Sequence, residues 1–381
     1  MSIWNTLIGQ PEVVEQLRQQ AQLERPTHAW LFTGPPGSGR STMARAFAAS
    51  LLCEEPKPQR RGCGVCKTCH SVLRGTHADL THFSTENINI KIEQARELVT
   101  KAQDRPAVGR WRIIIVEDAD RMPERTSNVL LKAIEEPPEH TIWILCAPSP
   151  VDVLVTIRSR CRPVTLRVPH REEVVKLLAG IEGYPEALAR HCASLAQGHI
   201  GVARHLVRSA EARQRREQVV RMPIFLSSVP AAMRAAQELV NIAQAEADHT
   251  SKERHERELQ ELLRSLGIAE DEQITPNVKA QIRQLEEEQK RRSRRMATDT
   301  LDRFLIDLQT VFRDVLTIQL GTGSALINTH LTAELHDYAQ RMSPEQALGH
   351  LDTLRLTRKR ISTNASAKLA FEAMMCSFIQ R

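Results

Sequence analysis

The chain has 381 residues, of which 41% are hydrophobic, 26% charged and 4% aromatic. These are the proportions of a soluble globular protein. The scarcity of aromatics argues for helix over a β-sandwich, and about 150 residues per domain gives two or three domains. The net charge of +6 is compatible with nucleic acid or an acidic protein partner and identifies neither.

The amino-terminal run MSIWNTLIGQPEVVEQL lacks the basic and apolar regions of a signal peptide, and no apolar stretch reaches the ~18 residues of a membrane span. A cytoplasmic protein without membrane contact is expected, with its eight cysteines reduced, so clustered cysteines read first as metal ligands. Residues 1–168 read as α/β: β-type runs at Trp30 to Phe32, Ile113 to Val116 and Ile142 to Cys146 alternate with segments of helical period. That alternation predicts a parallel sheet with helices on its faces. Residues 169–214 read as a small helical unit punctuated by Gly180, Gly183 and Gly198. From 215 to 381 nearly all is helical pattern. Leu259, Leu262, Leu263 and Leu266 share one helix face, Val278, Ile282 and Leu285 repeat the arrangement, and the breaker-rich GIAEDEQITPN lies between. Residues 250–295 therefore read either as a charged antiparallel helical hairpin or as helix that thickens the last domain.

Gly34-Pro35-Pro36-Gly37-Ser38-Gly39-Arg40-Ser41 follows the strand-like AWLFT and precedes the helical STMARAFAASLL, the context a P-loop requires. Gly34, Gly37 and Gly39 let backbone N–H groups curl around phosphate oxygens at the positive end of a helix. Arg40 stands where the motif has lysine. A guanidinium is planar and wider than an ammonium, so a degenerate nucleotide site is expected, with ATP or ADP binding left open and catalytic placement impaired. Ser41, the magnesium-contacting hydroxyl of the motif, is retained. The strand Ile113 to Val116 ends in Glu117 and Asp118, where a magnesium ligand and a water-activating carboxylate belong. Their usual order is inverted, which displaces each carboxylate by about one methylene, and near-attack geometry is sensitive to ~1 Å. The plainer reading is a pair of exposed acids at a strand end.

Cys53, Cys63, Cys66 and Cys69 form C-x9-C-x2-C-x2-C. The two-residue gaps fold back and point amides at sulfur, as tetrahedral zinc–thiolate sites do. A closed structural zinc site is expected, with a redox switch, or His70 in place of one thiolate, as alternatives. Cys146, Cys161, Cys192 and Cys376 are scattered and read as ordinary buried thiols.

The run Asn128 to His140, NVLLKAIEEPPEH, followed by Ile157-Arg158-Ser159-Arg160-Cys161, resembles the NxLLKxxEEPP and SRC signatures of bacterial clamp-loader AAA+ proteins. IGQPEVVEQL resembles the family's adenine-side motif and NASAKLAFEAMM its last collar helix. The resemblance covers residues 1 to about 210 well, the final 25 or so moderately and 215 to 340 weakly. It implies an AAA+ domain with a helical lid (169–214) and an all-helical collar (215–381). It also implies a hetero-oligomer with motor subunits and delta, acting on a sliding clamp and primed DNA within the DNA polymerase III holoenzyme. By the same resemblance Arg160 is an arginine finger offered to ATP on a neighbouring subunit; taken alone, flanked by Arg158 and Arg162, it reads as a helix cap or basic surface. The first cysteine gap is one residue longer than usual in the family, and the extra residue falls in EEPKPQRRG.

Four features depart from the family's motors. They are Arg40, the inverted Glu117 and Asp118, Ala147-Pro148 where a motor senses the γ-phosphate with a side-chain hydrogen bond, and Gly201 where the lid carries a sensor arginine, with Arg204 one turn on. These losses match the family's non-hydrolysing scaffold; the alternative is an active ATPase motor of the same loader. A non-replicative P-loop enzyme such as a kinase leaves the loader motifs unexplained. Candidates for DNA-backbone contact are Lys91, Arg96, Lys101, Arg105, Arg110 and the KRRSRR run at 290–295, each of which reads equally well as a solvated basic face.

Overall fold

The computed structural model describes residues 2–85, 89–265, 276–363 and 365–379. The chain divides into two units, Met1–Ser209 and Ala210–Arg381.

The first unit is built on a five-stranded sheet, β1 (Ala29–Thr33), β2 (Leu80–Phe83), β3 (Arg112–Val116), β4 (Thr141–Ala147) and β5 (Arg162–Thr165), in the order β2-β3-β4-β1-β5. All pairings are parallel. The helices are α1 (Pro11–Gln22), α2 (Arg40–Leu52), α3 (Lys67–Arg74), α4 (Ile92–Gln103), α5 (Glu124–Glu135) and the short α6 (Val155–Arg158). Alternate residues of the central strands feed two cores. Trp30, Phe32, Ile113, Ile115, Ile142 and Ile144 pack with Leu17 of α1 and Phe47 of α2, while Leu31, Ile114, Val116, Trp143 and Leu145 pack with Leu98 of α4 and Leu130 and Ile134 of α5. Burial on both faces is why these strands read as continuous apolar runs. Each large side chain so buried contributes about 1.5–3 kcal/mol relative to exposure, and Trp30 adds an edge-to-face contact with Phe47 at 5.1 Å.

Beyond β5 the unit ends in α7 (Arg171–Val175), which continues as a π-helical turn over Lys176–Ile181, then α8 (Glu186–Leu195) and α9 (Ile200–Arg208). Gln10 fastens the approach to these helices: its Nε2 donates to the Arg167 carbonyl at 2.5 Å and its Oε1 accepts from the Arg167 amide at 3.3 Å.

The second unit is all helix among its described residues: α10 (Ala210–Arg221), α11 (Val229–Ser265), α12 (Pro276–Gln319), α13 (Thr332–Gln340), α14 (Pro344–Ser362) and α15 (Ala367–Ser377). Its core joins Ala232, Ala236 and Leu239 of α11, Leu301, Leu305, Leu308 and Phe312 of α12 and Phe371, Met374 and Met375 of α15, all repeating at helical spacing. α11 and α12 run antiparallel well beyond this core. Arg303 reaches Glu246 at 2.6 Å, Ser251 reaches Met296 at 3.3 Å, Gln289 reaches the His255 carbonyl at 3.2 Å, and Arg292 pairs with Glu258. Leu259, Leu262, Leu263, Val278, Ile282 and Leu285 are half-buried along the outer stretch. Most of the sequence-predicted turn, with Leu266, lies outside the described residues. Among the described residues no helix is long and apolar enough to cross a membrane.

Candidate functional site

The phosphate loop links β1 to α2 at the carboxyl edge of the sheet, where α/β proteins bind ligands. Gly37 and Gly39 have φ of +90° and +86°, and Gly39 is the N-cap of α2. Only glycine adopts such angles without strain. The crest of the loop touches the lid helices, since a Cβ on Gly37 would stand 2.8 Å from Cα and Cγ of His199. His199 begins α9, and its Nδ1 accepts the Val202 amide at 3.3 Å. Inside the loop Ser38 Oγ and Arg40 Nη1 are buried without a hydrogen-bond partner. Two orphaned buried groups at a helix N-terminus fit a phosphate anion.

Behind the loop, Ser41 lies near Glu117, and His82 Nε2 lies 2.6 Å from the same carboxylate. Burial pushes the Glu117 carboxyl up, but His82, Ser41 and Arg45 outweigh it and hold it below the usual glutamate range. Asp118 has φ +57°, an angle uncommon outside glycine and tolerated best by Asp and Asn, and it faces Arg121 at 3.9 Å. Asp120 is held up by burial, opposed by Arg40 and Arg121. The two positions that the resemblance assigns to sensors have no side-chain donor: Ala147 ends β4, and the Pro148 carbonyl accepts the Gly34 amide at 3.2 Å. Gly201 lies in the first turn of α9, and Arg204 is held by Glu182 at 2.6 Å.

Arg160 sits in the turn after α6. Its Nε and Nη2 meet Oε1 of Glu135, the last residue of α5, and its Nη1 donates to the Thr156 carbonyl at 2.7 Å. The side chain is 37% exposed.

The four sequence-predicted cysteines converge at the far end of α2. Their sulfurs all lie within 4.8 Å of one another, with Cys53–Cys63 at 3.7 Å and Cys63–Cys69 at 4.0 Å. Tetrahedral zinc with ~2.3 Å bonds sets sulfurs about 3.8 Å apart, so the donor set fits. The Cys66 amide points at Cys63 Sγ at 3.4 Å and the Cys69 amide at Cys66 Sγ at 3.3 Å. His70 is exposed and outside the cluster. Hydrogen bonding from Cys69 leads the effects that pull the Cys53 thiol down to about 4, while the same bond and burial push Cys69 up. The loop between the first two cysteines is gripped by the chain's start: Ser2 Oγ and the Ile3 amide donate to the Gly62 carbonyl at 2.9 and 3.0 Å, and Trp4 Nε1 donates to the Arg61 carbonyl at 3.0 Å. Away from the cluster, burial pushes Cys146 and Cys161 up to about 12, the behaviour of unreactive thiols.

Sequence reasoning did not single out His82, Glu135 or His199. His82 lies on the short, mixed strand LTHF, which gives little β signal, whereas Glu135 and His199 stood inside motifs read for other residues. Of the DNA candidates, Lys101 pairs with Glu97 at 2.6 Å and Arg110 donates to the Leu51 carbonyl at 3.2 Å, while Lys91, Arg96 and Arg105 are exposed. In KRRSRR, Arg292 is bound to Glu258 and Arg295 lies 3.8 Å from Asp299.

A parallel sheet in this order, with a phosphate loop after its β1 strand, acids after β3 and helices following β5, defines an AAA+ P-loop protein. Residues 9–170 match the family described as "DNA polymerase III, delta subunit". The chain is 33% identical over 168 residues to DNA polymerase III subunit tau of Escherichia coli K12, covering 44% of this chain and 26% of that one. It is 33% identical over 181 residues to subunit gamma of Buchnera aphidicola, covering 47% and 48%. The match thus spans less than half the length of these relatives. Among solved structures, a gamma subunit-related protein from Thermotoga maritima aligns over 96% of this chain and 98% of its own, at 16% identity and a TM-score of 0.48. Over roughly its first 170 residues the chain is thus similar to clamp-loader proteins of DNA polymerase III.

Proposed function

We propose that this chain is a clamp-loader subunit of the delta-prime type, which contributes Arg160 to ATP hydrolysis on an adjacent motor subunit and turns over none itself. The carrying observation is the contrast within one domain. The nucleotide loop has a guanidinium in place of the ammonium, no donor at Ala147 or Gly201, and Arg204 committed to Glu182, whereas Arg160 stands at the surface in the turn after the short helix α6.

A guanidinium aimed at the transferred phosphoryl group stabilises the charge spreading over its oxygens, an effect of about 10³ to 10⁵ in rate for such fingers. This chain's own loop retains groups for a phosphate, Ser38 Oγ, Arg40 Nη1 and the N-terminus of α2, so binding of ADP or ATP without hydrolysis is compatible with the reading. Zinc on Cys53, Cys63, Cys66 and Cys69 would hold the module together and takes no part in catalysis. The partners that follow are motor subunits and delta in a hetero-oligomer, a sliding clamp and primed DNA.

The second reading, an active motor, is favoured by the retained Ser41 near Glu117 and by the tau and gamma relatives. Phosphate release by the purified chain separates the two: background rates support the scaffold, and turnover lost in Arg40→Ala supports the motor.

A further inference from the structure

We propose that Glu135 is the positioning residue for Arg160, fixing its guanidinium before a neighbouring subunit arrives. The proposal rests on the reading that Arg160 acts on a neighbour's nucleotide.

Three arginines crowd this corner, and they are held differently. Arg158 donates through Nη1 to the Pro150 carbonyl at 3.3 Å, and Arg162 lies over the Trp30 ring at 5.3 Å. Among the described residues only Arg160 of the three has a carboxylate partner. That carboxylate comes from the other loader signature, 25 residues earlier in the chain, where α5 ends. Glu135 takes the Nε and Nη2 edge, while Nη1 donates to the Thr156 carbonyl at 2.7 Å and to Ser159 Oγ at 3.4 Å. A guanidinium has five N–H donors, so this arrangement fixes its plane and leaves one N–H on Nη2 unclaimed.

Both side chains are about 40% exposed, at 37% and 40%. An exposed ion pair adds little to folding stability. What it changes is the freedom of a long side chain: an arginine held on both edges loses fewer rotamers when it meets a phosphate than one swinging in solvent. Glu135 therefore acts through Arg160 and touches no substrate itself.

The test is ATP turnover at the adjacent site in a reconstituted loader. Glu135→Ala is expected to lower kcat there by about 10- to 100-fold, the cost of a misplacement near 1 Å, with KM for ATP unchanged. Glu135→Gln, which keeps an acceptor oxygen, is expected to recover most of the rate, and adding Glu135→Ala to Arg160→Ala is expected to slow nothing further. A wild-type or faster rate in Glu135→Ala, or its full effect persisting beside Arg160→Ala, would overturn the positioning role. An Arg160→Ala loader with unchanged turnover would instead remove the finger itself. Should Glu135→Ala fail to assemble, the same comparison is made with Glu135→Gln against Glu135→Lys, which repels the guanidinium; equal rates in those two would also overturn the role.

Discussion

Asp79, which no sequence pattern singles out, organises the loop ahead of β3. Fully buried before β2, it accepts amides from Ala107, Val108 and Gly109 at 2.5, 2.9 and 2.6 Å, and so shapes the loop that bears Arg105 and Arg110. Burial raises its pKa, but the three amides more than reverse this and leave it below the ordinary aspartate value. A folded pKa below the unfolded one means the stabilisation is complete above pH ~4 and lost as pH falls through the depressed value. Asp79→Asn is expected to cost roughly 1–3 kcal/mol at neutral pH and to flatten the acid limb of stability, read from urea melts between pH 3 and 7. Arg40 makes the second residue-scale prediction. Arg40→Lys restores the ammonium but not the donors missing at Ala147 and Gly201, so phosphate release is expected to stay at background; turnover rising to motor rates would show that Arg40 alone silences the site.

Among the elements, β1, β3 and β4 were legible because both their faces are buried, so their residues form unbroken apolar runs. The edge strands were not. β5 reads Arg-Pro-Val-Thr with only Val164 buried, and its proline is tolerated because an edge strand has one side free of pairing. β2, in which Thr81 and His82 stand side by side between Leu80 and Phe83, has no alternation and is similarly mixed. Missing β2 concealed His82, and with it the hydrogen bond to Glu117. The cysteine module was legible from spacing alone, since its amide-to-sulfur contacts follow from the two-residue gaps; its attachment to the chain's start was not, because Ser2, Ile3 and Trp4 reach it across about 60 residues. Structural zinc sites contribute on the order of 10 kcal/mol locally. Cys63→Ser, or a strong chelator, is expected to abolish stoichiometric zinc and open residues 53–69 to proteases while the sheet still melts cooperatively. Full protease resistance without metal would argue against a structural role.

At the scale of the whole molecule, the second unit depends on a polar cluster that no periodicity announces. Arg216 of α10 is 4% exposed and bonds Asp307 at 2.8 Å, Asn328 at 3.0 Å and Thr310 at 3.2 Å, while buried Asp314 accepts the Ile327 and Asn328 amides. Helical spacing revealed the apolar stripes of α11 and α12 and predicted helices throughout; it carried no information about which polar residues are sealed between them. Removing one partner of a buried ion pair costs about 3–5 kcal/mol, and a hydrophobic replacement of similar volume much less. Arg216→Ala is accordingly expected to unfold the second unit several degrees earlier than Arg216→Met, by calorimetry.

The proposal for the whole chain is a subunit with an AAA+ fold that lends Arg160 to the nucleotide of a neighbour. Its central claim is tested most directly by single-turnover ATP hydrolysis at the adjacent site of a reconstituted loader, with wild-type chain against Arg160→Ala. The expected result is a loss of the order of 10³-fold at that site with assembly intact; an unchanged rate in a fully assembled complex would contradict it.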